Sequence, residues 1–438
     1  YDKEHKETFR LIGMESLRNG HVEDIFPQAF TPVLQTRIEP RTQGRIESLL
    51  TEQENSAQQR DPIVLDSEKR ELIANPIRRR RVCGPAGSGK SVLLAASAAD
   101  AALKDLKALV VVFNITQRHH LRDLAVRYRP DGTDQRQVSQ AIRENVQFLY
   151  LHEWCEQVCL ETGHEKKLRT IIHSEKDWPG EEIKGLIATA MATKGWPADR
   201  LTGITTYDRI LIDEAQNIDA DWFRLIEQAL RTDDSQLMVA YDPTQSLYLD
   251  TPSWTDEQMP GFTGKPKKLQ YSYRLPATTI PMLIAFCDEF LAGEPDIEIP
   301  VADPQAELLS CNLRYRNIHG SDNLATAAAG LVNQLPQELG LHPGDMAFIF
   351  WHHKTGLEAL ACLNELSPGW QDQITSVFAS SKEMQKRNKM AFWPGSGETK
   401  GSTIQSFQGW EAPCVILGIP ELGDVDPDEV KSAYERHY

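Results

Sequence analysis

Gly84-Pro85-Ala86-Gly87-Ser88-Gly89-Lys90-Ser91 is a complete phosphate-binding loop, and the rest of the chain is read around it. The glycines let the backbone wrap phosphates closely, with N–H groups turned inward and φ free to become positive. Lys90 supplies a point charge to the β- and γ-phosphates, and the Ser91 hydroxyl is a ligand for Mg²⁺. The apolar Val82-Cys83 before the loop and Val92-Leu93-Leu94-Ala95-Ala96 after it supply the strand–loop–helix setting that a glycine-rich turn without a ligand would not need. Some 120 residues on, Arg209-Ile210-Leu211-Ile212 ends in Asp213-Glu214-Ala215-Gln216. Asp213, closing a short apolar strand, is placed to reach the metal. Glu214 beside it is placed to act as general base toward an attacking water. A single acid there would read equally well as a surface-facing strand end; the tandem pair points to nucleoside-triphosphate binding and hydrolysis.

Length and charge bound the possibilities. The chain has 438 residues, enough for two or three domains with real cores. No stretch approaches the roughly 20 apolar residues of a membrane span, and no secretory signal stands at the start. Tyr1 is not an initiator methionine, so residues are expected upstream. The seven cysteines are scattered without a CxxC pair, and Cys155 and Cys159 read as packing residues on one helix face. With no disulfide framework and no zinc spacing, the expected compartment is the reducing cytoplasm. The net charge of −16 argues against nonspecific coating of nucleic acid. It leaves room for a local basic groove, because a field depends on where charges sit. The cluster Arg78-Arg79-Arg80-Arg81 reads as a solvated approach to the first strand at least as well as a phosphate contact.

Residues 1–60 are polar and weakly periodic, as expected of a tether rather than a domain. From Ile63 apolar strands alternate with helical stretches: 108–113, 209–212, 237–241, 346–351 and 415–419. Such alternation predicts an α/β fold with parallel sheets covered by helices. Charged, helical sequence over about 120–205 reads as an insertion within a first domain spanning 61–274, with a second domain over 275–438. Two loops add candidates. Leu237–Tyr241 runs into Asp242-Pro243-Thr244-Gln245-Ser246, and the ends of parallel strands face a ligand crevice, so Gln245 is a candidate for the γ-phosphate or its attacking water. Gln270-Tyr271-Ser272-Tyr273-Arg274 sets an aromatic beside an arginine, and an arginine reaching a transferring phosphoryl group stabilises its charge.

The combination resembles the UvrD/Rep-like superfamily 1 helicases over roughly residues 61–420, carried by the phosphate loop, Asp213-Glu214-Ala215-Gln216, Asp242–Tyr248, Tyr271–Pro276 and Thr403-Ile404-Gln405-Ser406-Phe407-Gln408-Gly409-Trp410-Glu411. The resemblance implies two RecA-like P-loop domains, ATP in the cleft between them and single-stranded nucleic acid across their top. Gly84, Gly87, Gly89, Lys90 and Ser91 would hold phosphate and Mg²⁺, Asp213 the metal, with Glu214 the base and Gln245 a γ-phosphate sensor. It further implies that Tyr273 stacks on adenine, Arg274 is an arginine finger and Glu411 meets the ribose. Phe113, Asn114, His152 and Trp154 fall where the family touches the strand, and Trp254 is a further stacking candidate or an ordinary partly buried tryptophan. Stacking on such aromatics tolerates any base, which suits a translocase.

Several positions depart from the family pattern. Lys69 stands where a glutamine usually reads adenine, and lysine only donates. Gln405 and Gln408 replace the usual His and Lys of the fifth motif. The final motif with its second arginine does not occur before Tyr438, and the chain is expected to stop short of it. The stretch from Arg274 to Thr403 leaves little room for the large second-domain insertion of unwinding members. Phe392-Trp393-Pro394 and Gly401–Pro413 look closest to a subgroup fused to an upstream nuclease-like domain, with 1–60 as the tether.

The function expected is an ATP-dependent translocase or helicase on single-stranded DNA, in repair or in defence against foreign DNA. The alternative is an ATP- and DNA-gated switch controlling a partner such as a nuclease, with little unwinding. The motifs leave RNA open as the strand. A P-loop kinase would need neither Gln245 nor Arg274.

Overall fold

The computed structural model describes residues 62–130, 132–174, 179–193, 204–242, 262, 264–269, 271–273, 279–282, 284–285, 301–302, 313–318, 323–369, 373–393 and 397–419. The expected α/β class holds: the described chain is built on two all-parallel sheets wrapped by helices.

The first sheet comprises β1 (Arg79–Cys83), β2 (Ala108–Val112), β3 (Val146–Tyr150), β4 (Arg209–Ile212), β5 (Gln236–Tyr241) and β6 (Lys267–Lys268), in the order β3-β2-β4-β5-β1-β6. Its central strands are apolar on both faces, as a doubly covered parallel sheet requires. One face turns Val82, Val110, Val112, Leu211, Met238 and Ala240 toward helices α1 (Ser67–Ala74), α2 (Lys90–Leu103), α3 (Gln117–Arg127) and α4 (Gln135–Asn145). The opposite face turns Leu109, Val111, Ile210, Ile212, Leu237 and Val239 toward α5 (Leu151–Thr162), α6 (Glu165–Ser174), α7 (Gly180–Thr193) and α8 (Ala220–Glu227).

A two-stranded parallel pair, β7 (Tyr271–Ser272) with β8 (Val301–Ala302), follows. The second sheet then contains β9 (Met346–Phe350), β10 (Ile374–Ser376), β11 (Thr399–Thr403) and β12 (Cys414–Gly418), ordered β10-β11-β9-β12. Around it lie α9 (Leu324–Leu339), α10 (His353–Leu366), α11 (Lys382–Ala391) and the short α12 (Ile404–Phe407). Its core gathers Phe348, Phe350, Phe378, Phe392, Phe407 and Trp410.

Helix starts follow local chemistry. The Asp66 carboxylate caps α1 by accepting from Lys69 N, and Asp219 caps α8 by accepting from the N–H groups of Asp221 and Trp222. A buried arginine fixes the layer beneath the phosphate loop. Arg209, 3% exposed, donates to Ser97 O (2.6 Å) and Asp100 Oδ2 (3.1 Å) of α2 and to Gln236 Oε1 (2.7 Å) of β5. It thereby ties α2 to β4, so that the residues opening α2 and closing β4 keep a constant separation.

Two sequence expectations change. The stretch 120–205 is not wholly helical, because Val146–Tyr150 enters it as β3, the edge strand paired with β2. The Arg78–Arg81 cluster is more internal staple than solvated approach. Arg79 Nε donates to Glu227 Oε1 (2.6 Å), Arg80 to Asn75 O (2.6 Å), and the buried Arg81 to Gly264 O (2.5 Å). The tether 1–60 and the chain beyond 419 lie outside the described residues. Cys155 and Cys159 are buried free thiols that burial pushes up, in keeping with a packing role.

Candidate nucleotide site and its seam with the second sheet

The phosphate loop joins β1 to α2, and its backbone fits no residue but glycine at the points of closest approach. Gly87 and Gly89 sit at φ of 76° and 84°. A Cβ on Gly84 would lie 2.7 Å from both Leu269 O and Ser88 Oγ. Lys90 Nζ turns back into the loop, donating to Gly84 O (2.7 Å) and Pro85 O (3.1 Å), and stands 3.5 Å from Asp242 Oδ2 at the end of β5. Ser91 Oγ, on the first turn of α2, donates to Asp213 Oδ2 at 2.8 Å.

Strand β4 delivers the acids. Asp213 is 1% exposed, and its Oδ1 is buried with no hydrogen-bond partner among the described residues. Burial pushes its carboxyl up, against the Ser91 hydrogen bond and Lys90. Glu214 follows at φ 50°, a left-handed conformation uncommon for a side chain other than glycine and found at functional sites. Burial, and next the charge of Asp213, push its carboxyl up to about 7. Gln216 Nε2 donates to Glu214 Oε2 (2.5 Å) while Gln216 Oε1 accepts from Asp242 N (3.1 Å), linking the ends of β4 and β5. On the other side Gln117 Nε2, from the start of α3, lies 3.4 Å from Glu214 Oε1.

These residues fit a magnesium–triphosphate. The loop glycines adopt the positive φ that lets backbone N–H groups wrap an anion, Lys90 brings the cation, and Ser91 Oγ with Asp213 Oδ1 offers hard oxygen ligands. Two protein oxygens completed by phosphate oxygens is how Mg²⁺ is ordinarily bound.

Beside the loop sits a second cluster. Tyr273 N donates to Gly87 O (3.0 Å) and Ser272 Oγ to Ala86 O (2.9 Å), so β7 is docked on the loop. Tyr273 Oη donates to Asp66 Oδ2 (2.9 Å), Lys69 Nζ to the same oxygen (2.5 Å), and that ammonium lies 4.4 Å over the Tyr273 ring. Tyr273 flanks the loop at 42% exposure, with Lys69 buried between it and Gly89.

The second sheet meets this region through a row of contacts on 114–120. Asn114 Nδ2 donates to Gln405 O (2.8 Å), Thr116 Oγ1 to Ser406 O (2.7 Å), and His119 Nε2 pairs with Met390 O (2.9 Å). The His120 and Trp410 rings lie 5.6 Å apart. Farther along, Lys386 approaches Glu156 at 3.9 Å and the Tyr150 ring at 5.7 Å.

No family profile matches the chain, and no curated protein does. Among solved structures it is similar to the Pif1 helicase from Candida albicans, at 12% identity and a TM-score of 0.36, over 70% of this chain and 56% of that one. It is also similar to T4 UvsW, at 11% identity and a TM-score of 0.25, over 84% and 76% of the two chains. The chain therefore spans little more than half the length of the Pif1 structure. At such values neither likeness transfers a residue's role to this chain.

Of the residues singled out from sequence, Gly84, Gly87, Gly89, Lys90, Ser91, Asp213 and Glu214 come together, with Tyr273 at the loop's flank. Gln245, Trp254 and Arg274 lie outside the described residues. Glu411 is exposed shortly before β12. The strand-contact set divides differently. Trp154 is 1% exposed in the core beneath α5, so its ring packs rather than stacks on a base. His152 is half-buried with its ring 5.5 Å from that of Tyr150, and burial first, then Lys386, push its imidazole down to about 3. Phe113 packs partly buried against the same core, and Asn114 is spent on the seam. Sequence reading missed Gln117, Thr116 and the pairing of Lys90 with Asp242. Asp242 carried a signal, since it ends a buried parallel strand as Asp213 does.

Proposed function

We propose that this chain is an ATP-driven translocase or helicase acting on single-stranded DNA. The observation that carries the reading is the convergence of Lys90, Ser91, Asp213 and Glu214 beyond the ends of β1 and β4, which flank β5 in the first sheet, directly beside a seam with a second parallel sheet. A bound Mg²⁺ would neutralise charge on the β- and γ-phosphates. Lys90 would exchange the carbonyls of Gly84 and Pro85 for phosphate oxygens, and Ser91 and Asp213 would hold the metal. Glu214, buried and raised toward neutrality, would take the proton of the attacking water. Because α3 meets the seam at His119 and Glu214 at Gln117, relative movement of the sheets and the state of the nucleotide would be mechanically linked.

A cationic hollow favours a phosphodiester strand. Arg118, His119, Arg122 and Arg143, with Ile142, Val146 and Phe148, line a cavity of about 360 Å³ beside the seam, with no carboxylate among its lining residues. Burial first, and the Arg118 charge second, hold His119 below its usual range. Arg122→Ala with Arg143→Ala is expected to weaken single-stranded DNA binding and to flatten the slope of log K against log salt by about 1.4, at about 0.7 per phosphate contact. ATP affinity should not move. An unchanged slope removes the hollow from the strand's path.

The reading is tested by ATP hydrolysis with and without single-stranded DNA, alongside strand displacement. Strong stimulation with displacement supports the motor. Flat, slow hydrolysis despite tight ATP binding supports the gated switch, and preference for an RNA oligonucleotide of the same sequence would move the substrate to RNA.

A further inference from the structure

We propose that Gln117 is the positioning residue through which the second sheet controls hydrolysis: it orients Glu214 and the attacking water, and Gly409 holds it there. The proposal rests on the reading of Glu214 as general base and adds the regulation of that site.

Gln117 opens α3, is 2% exposed, and has its backbone N–H anchored on Asn114 O at 3.1 Å. Its side-chain amide faces in two directions. Toward the first sheet, Nε2 donates to Glu214 Oε1 at 3.4 Å. Toward the second sheet, it lies against the backbone of Gly409, which sits at φ 80°. A Cβ at Gly409 would stand 2.1 Å from Gln117 Nε2 and 3.1 Å from its Cδ, so only glycine leaves the amide its place. The neighbouring residues pin the approach, since Asn114 and Thr116 hold the carbonyls of Gln405 and Ser406.

The remaining acceptor is the decisive detail. Gln117 Oε1 is buried and has no hydrogen-bond partner among the described residues. An amide offers two donors and one acceptor. Here the donor side steadies the carboxylate, and the acceptor is left beside it in a buried site where an unpaired oxygen is costly. A water donating one O–H to Glu214 and the other to Gln117 Oε1 satisfies both and is held by two fixed acceptors. In the reaction, the water oxygen bonds to the γ-phosphorus and its proton passes to Glu214. The bond from that phosphorus to the β–γ bridging oxygen breaks, and its electron pair leaves on ADP. Gln117 exchanges no proton. Withdrawal of the Gly409 backbone would free the amide to turn away, and both water and base would lose their orientation.

The test is a double-mutant cycle on the full chain: Gln117→Met, which keeps the volume without donor or acceptor, and Gly409→Ala, which displaces the amide from the far side. Steady-state kcat and KM for ATP are measured with and without a dT oligonucleotide, with binding of a fluorescent ATP analogue as the check on folding. Each single variant is expected to lower kcat about 10- to 100-fold with KM within twofold, and to lose stimulation by the oligonucleotide. The double variant should be no worse than either single, because both remove one interaction. Gln117→Asn, too short to reach Glu214, should not rescue. Unchanged kcat in Gln117→Met, or losses that add in the double variant, overturns the proposal while wild-type turnover keeps the hydrolytic reading. A wild-type chain that binds the analogue but never turns over ATP overturns that reading and the proposal with it.

Discussion

Lys90→Ala is expected to lose ATP binding almost completely and to destabilise the empty protein as well. The ammonium is 7% exposed and lies within 3.5 Å of two loop carbonyls and the Asp242 carboxylate. In the bound state it would exchange the carbonyls for the β- and γ-phosphates. Charge-assisted hydrogen bonds contribute about 1.5–3 kcal/mol each, so losing one to each of two phosphates weakens binding about 10²- to 10⁴-fold. Without ligand, alanine removes the ammonium that stands 3.5 Å from the 1%-exposed Asp242 carboxylate. Removing one partner of a buried pair costs about 3–5 kcal/mol, and the long 3.5 Å separation puts this pair toward the lower end. Lys90→Met isolates the loss of charge, since it restores the stem's packing. Titration with a fluorescent ATP analogue and thermal melts of the three proteins check this. Affinity retained within threefold in either variant would remove Lys90 from the phosphate site.

Glu214→Gln is expected to bind ATP as tightly as the unaltered chain and to turn it over about 10²- to 10⁴-fold more slowly, the contribution of a positioned general base. Its pH behaviour is a second signature. The carboxyl is raised from 4.5 to about 7, by burial first and Asp213 second, so the folded state holds that proton more tightly than the unfolded chain does. The stabilisation belonging to the protonated form is complete below 4.5 and is lost as pH rises through about 7. Glutamine carries no such proton, so the variant's stability should be flatter across that window. The hydrolysis rate of the unaltered chain should climb with pH up to about 7 or below, since a bound Mg²⁺ favours the ionised form, and the residual rate of the variant should not. Rate profiles and melts at matched pH values read both effects. Near-normal turnover in the variant would take the base role from Glu214.

The parts legible in the sequence are those governed by local pattern. The phosphate loop needs glycine at particular backbone conformations, and Gly87 and Gly89 adopt them. The apolar runs at 108–113, 209–212 and 237–241 became β2, β4 and β5 within a residue or so, because a strand buried on both faces must be continuously apolar. The strand Val146–Tyr150 was hidden between amphipathic helices, five residues whose place depends on pairing with β2 rather than on their own composition. The aromatics were ambiguous for a related reason. Trp154 and Phe113 have the same chemistry whether they face a base or a core, and the helices of α5–α7 close over the former. Gln117 could not be found by pattern at all, since it meets Glu214 from 97 positions away.

The seam between the sheets is lopsided in what it demands of the genetic message. Residues from the first sheet contribute side chains (Asn114, Thr116, His119), whereas the second answers with the main-chain carbonyls of Gln405, Ser406 and Met390. A carbonyl is supplied by any amino acid, so long as the backbone keeps its course. A library randomised at 114, 116 and 119 should therefore collapse to few survivors, while one randomised at 390 and 405 tolerates many replacements. For these three hydrogen bonds, the side chains that must be specified all come from one half.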